Sequence, residues 1–96
     1  MVDLTPDHRR VVRAILDRVV PGVEARAFGS RVSGGARPHS DLDLALVSAD
    51  PIPWETIETL REAFADSDLP FRVDVSDWSR LDDALRRRIE TSFEVI

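Results

Sequence analysis

The chain has 96 residues, no cysteine and a formal net charge of −5. That length suits one domain with a modest core, the missing cysteine excludes disulfides, zinc–thiolate sites and cysteine nucleophiles, and the acidic balance opposes non-specific binding to nucleic acid or an anionic membrane. No stretch approaches the ~18 apolar residues of a membrane span and the start of the chain lacks a signal-peptide pattern, so a single cytoplasmic domain over residues 1–96 is expected.

Thr5-Pro6 reads as a helix start, with Thr5 as N-cap, Pro6 at the first helical position and Asp7 in the first turn. Val11, Val12, Ile15, Leu16, Val19 and Val20 then recur at helical spacing, and Pro21-Gly22 ends the helix. His8, at the start of this helix, is expected to be solvated. Val23 to Phe28 predicts the first strand, with Val23, Ala25 and Ala27 alternating against Glu24, Arg26 and Phe28. A short helical turn is expected from Ser30 through residue 36, followed by a loop over Arg37-Pro38-His39-Ser40. Asp41 to Val47 is the clearest strand in the chain. Trp54 to Ala65 reads as a helix whose inner side carries Trp54, Ile57, Leu60, Ala63 and Phe64. Leu69 to Val75 predicts the third strand, with Phe71, Val73 and Val75 facing the core and Arg72, Asp74 and Ser76 facing away. Asp77-Trp78 opens a turn. Leu81, Leu85 and Ile89 mark a last helix, with Arg86-Arg87-Arg88 near its C-terminal end as a solvated face or a contact for an acidic partner. Phe93 to Ile96 forms a short terminal strand or tail. Helix, strand, short helix, strand, helix, strand, helix is the order of an α/β or α+β domain with a small mixed sheet.

The chemistry is concentrated between Gly29 and Asp43. Gly29-Ser30 closes the first strand; ten residues later Asp41-Leu42-Asp43-Leu44 opens the second. Alternation along a strand puts Asp41 and Asp43 on one face and Leu42, Leu44 and Leu46 on the other. Two carboxylates on one face repel unless a cation lies between them. A hard dication such as Mg²⁺ takes oxygen ligands and leaves room for substrate phosphates. Gly29 lets a phosphate approach the backbone, and Ser30 adds a hydroxyl beside it. A helix starting at Ser30 would aim free N–H groups at an anion. Asp74 is a further carboxylate in mid-strand, where aspartate is depleted. It either pairs with Arg72 or Arg26 or joins Asp41 and Asp43. His39 could approach a phosphate or metal, but a loop histidine beside proline is ordinarily just exposed.

Gly29-Ser30, Asp41 and Asp43 at this spacing resemble the signature of the polymerase-β-type nucleotidyltransferase superfamily. The short chain and the wording Gly-Ser-Arg…Ser-Asp-Leu-Asp-Leu are similar to its minimal nucleotidyltransferase (MNT) branch, antitoxins paired with HEPN-domain toxins. The resemblance implies the nucleotidyltransferase fold, ATP as substrate and Mg²⁺ as cofactor. It implies Asp41, Asp43 and Asp74 as catalytic and metal-holding residues, and Gly29, Ser30, Arg31 and Ser40 as nucleotide-binding residues. It further implies a HEPN toxin as partner, its tyrosine hydroxyl being modified with AMP. This chain has no tyrosine and cannot modify itself there. Many members carry a second basic residue after the Gly-Ser turn, where this sequence has Ser33-Gly34-Gly35; Arg31 and Arg37 remain. Two other readings are a binding antitoxin that neutralises its HEPN partner by contact, and a transferase acting on a small molecule. The short chain disfavours the latter, since it leaves no room for a separate acceptor domain.

Overall fold

The computed structural model describes residues 2–96. The first helix, α1 (Pro6–Val19), starts as its cap residues dictate: the Thr5 hydroxyl accepts the His8 N–H at 3.0 Å, and Pro6 occupies the first turn. The remaining elements are β1 (Glu24–Phe28), α2 (Ser30–Ser33), β2 (Leu42–Val47), α3 (Trp54–Ala65), β3 (Val73–Asp77), a 3₁₀ turn at Trp78–Arg80, α4 (Asp83–Thr91) and β4 (Glu94–Val95).

The strands form one sheet in the order β3-β2-β1-β4. β1 pairs antiparallel with β2 and with β4, whereas β2 and β3 run parallel, joined by the crossover through α3. The sheet is thus mixed, as the sequence suggested. Its first face carries Ala25 and Ala27 of β1, Leu42, Leu44 and Leu46 of β2, and Val73 and Val75 of β3. These pack with Val12 and Leu16 of α1 and Ile57, Leu60 and Phe64 of α3 in one core. Each fully buried leucine or valine there contributes about 1.5–3 kcal/mol relative to exposure. The second face is covered only in part, by the 3₁₀ turn and α4. Ala45 and Ile89 are buried there, and the Arg26 guanidinium lies 4.8 Å from the Trp78 ring and 4.7 Å from the Phe93 ring.

Several expectations are corrected. Trp54 is not a core residue: it is 58% exposed, with the Arg61 guanidinium over its ring, while Ile52 just ahead of the helix is buried. The third strand begins at Val73 rather than Leu69, because Pro70 has no N–H for the ladder, and it runs on to Asp77. Leu81 lies outside α4, which is capped by Asp82 accepting the Leu85 N–H at 2.8 Å. His8 is half-buried, edge-on to the Phe71 ring.

Candidate active site

β1 and β2 pair so that Phe28 faces Asp43, which brings Gly29, the next residue, beside the Asp43 carboxylate. A Cβ at position 29 would lie 2.5 Å from Asp43 Oδ2, and Gly29 has φ +83° and ψ −159°, a region open essentially to glycine alone. Across the parallel pair, Asp43 is in register with Asp74. Both project from the second face of the sheet, on strands about 4.8 Å apart. Asp41 precedes β2 by one residue and reaches the same cluster. One nitrogen of the Arg72 guanidinium lies 3.3 Å from both Asp41 Oδ2 and Asp74 Oδ2.

The structure therefore brings the three candidate carboxylates together, with Arg72 as their counter-charge. Burial, then the charges of Asp74 and Asp41, push the Asp43 carboxyl above its usual range; Arg72 opposes the rise. Among the described residues no three His, Cys, Asp or Glu side chains are gathered so as to hold a metal by themselves. The expected three-carboxylate ligand set is not preassembled, since an arginine bridges two of its members. In donor chemistry the cluster still fits a hard dication: oxygen ligands only, in mutual repulsion, on registered strands.

Two open clefts flank the carboxylates. One, of about 460 Å³, is lined by Phe28, Gly29, Ser33, Asp43, Leu85, Arg88 and Ile89. The other, of about 450 Å³, lies at the β3 edge among Arg61, Phe64, Leu69, Phe71, Arg72 and Asp74. Asp43 thus belongs to the first cleft and Asp74 to the second.

The candidate nucleotide-binding residues fare differently. Ser30 begins α2 and is exposed, at the mouth of the turn. Ser40 is occupied locally: its hydroxyl accepts the Arg37 N–H at 2.9 Å. Arg31 is occupied by the backbone. Its side chain is buried, and its three guanidinium nitrogens donate to the carbonyls of Ser40, Asp3 and Pro38 at 2.7–2.8 Å. The same group lies 4.1 Å from the Phe71 ring centre. With its guanidinium nitrogens donating to these carbonyls, Arg31 ties the loop and the N-terminal segment together. His39 is likewise structural, Nδ1 lying 3.1 Å from the Pro70 carbonyl oxygen.

Sequence reasoning missed two residues. Asp77 is buried at the end of β3; Oδ2 accepts the Ile52 N–H at 2.8 Å and Oδ1 accepts the Ser79 N–H at 3.0 Å. The alternation of Phe71, Val73 and Val75, carried one step further, already placed it on the core face. Arg88 lines the cleft at Gly29, whereas the arginine run reads from the sequence as a solvated face or a contact for an acidic partner.

Over residues 20–96 the chain matches the family described as polymerase beta, nucleotidyltransferase. It is 41% identical over 95 residues to the probable protein adenylyltransferase MntA of Haemophilus influenzae, spanning 99% of this chain and 83% of that one. A solved toxin–antitoxin structure with AMP-PNP shares the fold with a TM-score of 0.76 at 24% identity, over 90% of this chain and 69% of that one. A tri-AMPylated Shewanella oneidensis HEPN toxin in complex with MNT antitoxin gives a TM-score of 0.59 at 25% identity, over 90% of this chain and 66% of that one. The mixed sheet agrees with these likenesses, and the chain belongs to the polymerase beta nucleotidyltransferase family.

Proposed function

We propose that this protein is an antitoxin that transfers AMP from ATP to a tyrosine hydroxyl of a HEPN toxin and thereby neutralises it. The observation that carries the reading is the carboxylate cluster between two clefts, Asp43 opening on the Gly29 side and Asp74 on the β3 side. The 41% identity to a protein named as an adenylyltransferase supports it, as does similarity to an antitoxin solved with an AMPylated toxin.

In this reading ATP lies in the first cleft, with its β- and γ-phosphates at Gly29 and Ser30. The acceptor hydroxyl enters from the second cleft. Its oxygen forms a bond to the α-phosphorus, the bond from that phosphorus to the bridging oxygen breaks, and pyrophosphate leaves. Asp74 receives the hydroxyl proton, as a general base on the acceptor side. Asp41 and Asp43 would hold Mg²⁺, which supplies charge neutralisation at the phosphates when bound.

The test is the intact mass of a HEPN partner co-expressed with this protein. A gain of one or more AMP units, lost with Asp43→Asn, is the expected result. A partner that is neutralised but unmodified would assign a binding antitoxin instead.

A further inference from the structure

With Arg31 committed to backbone carbonyls, the turn from Ser30 to Gly35 has no free cation to offer a triphosphate, and Arg37, further along the loop, does not line the cleft at Gly29. The cleft at Gly29 nevertheless contains one guanidinium, from the opposite wall. Arg88 stands in the last turn of α4 and lines the same space as Gly29, Ser33 and Asp43. Its carbonyl accepts the Thr91 hydroxyl at 2.6 Å, but among the described residues its guanidinium has no hydrogen-bond or ionic partner.

Its neighbours in the arginine run are placed differently. Arg86 donates to the carbonyls of Trp78 and Ser79 at 3.0 and 2.8 Å, fixing α4 to the 3₁₀ turn. Arg87 is exposed and does not line the cleft. A helix turns about 100° per residue, so adjacent arginines face different surroundings. Leu85 and Ile89 direct the stripe of α4 inward, and Arg88 follows them to the rim of the cleft. A free guanidinium there is a planar, multiply donating partner for phosphate oxygens.

We infer that Arg88 is the phosphate-binding cation of this site, contacting the terminal phosphates of the bound nucleoside triphosphate from α4. The inference rests on the first cleft being the nucleotide site. It assigns to α4 a contact that no basic residue of the Gly-Ser turn or the following loop makes in this cleft.

The experiment compares binding of MgATP and AMP by calorimetry to wild type, Arg88→Gln, Arg88→Lys, Arg87→Gln and Asp43→Asn, with melting curves for each. Losing a charge-assisted contact is expected to weaken MgATP binding about ten- to hundredfold in Arg88→Gln. Arg88→Lys should recover part of it. Arg87→Gln, with the same change of charge, should stay within about twofold of wild type for MgATP. Affinity for AMP, which lacks the terminal phosphates, should be the same in wild type and Arg88→Gln. MgATP binding that is weakened by Asp43→Asn yet unchanged by Arg88→Gln would overturn the role of Arg88 alone. Equal weakening by Arg87→Gln and Arg88→Gln would reduce the effect to bulk charge and also overturn it. Wild type that binds no MgATP would overturn both this inference and the nucleotidyltransferase site on which it rests.

Discussion

Gly29 and Asp43 occupy the same space: the carboxylate fills the position that any side chain at residue 29 would need, 2.5 Å from where its Cβ would be. The glycine is therefore required twice, by its backbone angles and by the group packed over it. Gly29→Ala should cost about 1–3 kcal/mol of stability from backbone strain. Because relief of the clash must move Asp43, transfer should fall as well. Urea denaturation and single-turnover transfer on the same variant check this; wild-type values in both would refute the packing.

Asp41→Asn and Asp43→Asn should abolish AMP transfer while leaving the melting temperature equal to or above wild type. The reason is that burial first, and then the charges of Asp74 and Asp41, disfavour the ionised Asp43, as its raised pKa shows, so neutral amides relieve a cost of the folded state. A variant that melts well below wild type would instead make the pair structural.

Asp74 should separate chemistry from binding. If it receives the acceptor proton, Asp74→Asn slows transfer by about 10²–10⁴ and leaves MgATP affinity near wild type. If it serves only as a partner of the exposed Arg72, the rate survives and stability drops by at most about 1 kcal/mol. Rate and melting curve, measured together, distinguish the two.

For Arg31 the expected loss is in stability. Arg31→Gln removes donors from the carbonyls of Asp3, Pro38 and Ser40, and should destabilise by about 2–3 kcal/mol, on the scale of charged hydrogen bonds. Under conditions where the variant remains folded, its MgATP affinity should be close to wild type. A selective loss of nucleotide affinity with normal stability would restore Arg31 as a phosphate ligand.

Asp77 gives a pH signature. Burial raises its pKa, but the N–H groups of Ile52 and Ser79 outweigh burial, and the net direction is below the ordinary value of 3.8. The folded state then binds fewer protons than the unfolded chain, so this carboxylate's stabilisation is complete above pH 3.8 and is lost as pH falls through the lower, folded value. Asp77→Ala leaves the buried Ile52 N–H unpaired and should cost about 1–3 kcal/mol at pH 7. The gap between wild-type and variant melting temperatures should narrow as pH is lowered below 3.8. A constant gap would show that the charge is irrelevant.

Much of this site was legible because strand parity is a local property. Leu42, Leu44 and Leu46 define the inner face of β2, so Asp43 must point away from it. Asp74 could be oriented by the same logic, but its register with Asp43 depends on which strands pair. Arg31 defeated local reading for a different reason. Its neighbours in sequence suggest a phosphate, yet where its side chain goes is decided by a loop folding back over residues 38–40. Trp54 was misplaced because a large apolar ring at helical spacing reads as core. Here Ile57, Leu60 and Phe64 already fill the space beneath α3, and the ring is left outside with Arg61 over it.

The attachment of β4 bears on how the molecule folds. Val2, Arg9 and Arg13 hold Glu94, Val95 and Ile96 through hydrogen bonds spanning 83–92 positions of the chain. Making them closes the stretch between residues 2 and 96 into one loop, whose entropic cost grows only slowly with length but must be met before any of these bonds forms. Such long-range pairings slow folding relative to local ones. During synthesis the outer edge of β1 therefore remains open until residues 94–96 arrive. In that interval a foreign strand can pair with it, which makes the last strand a kinetic safeguard against aggregation as well as a part of the sheet.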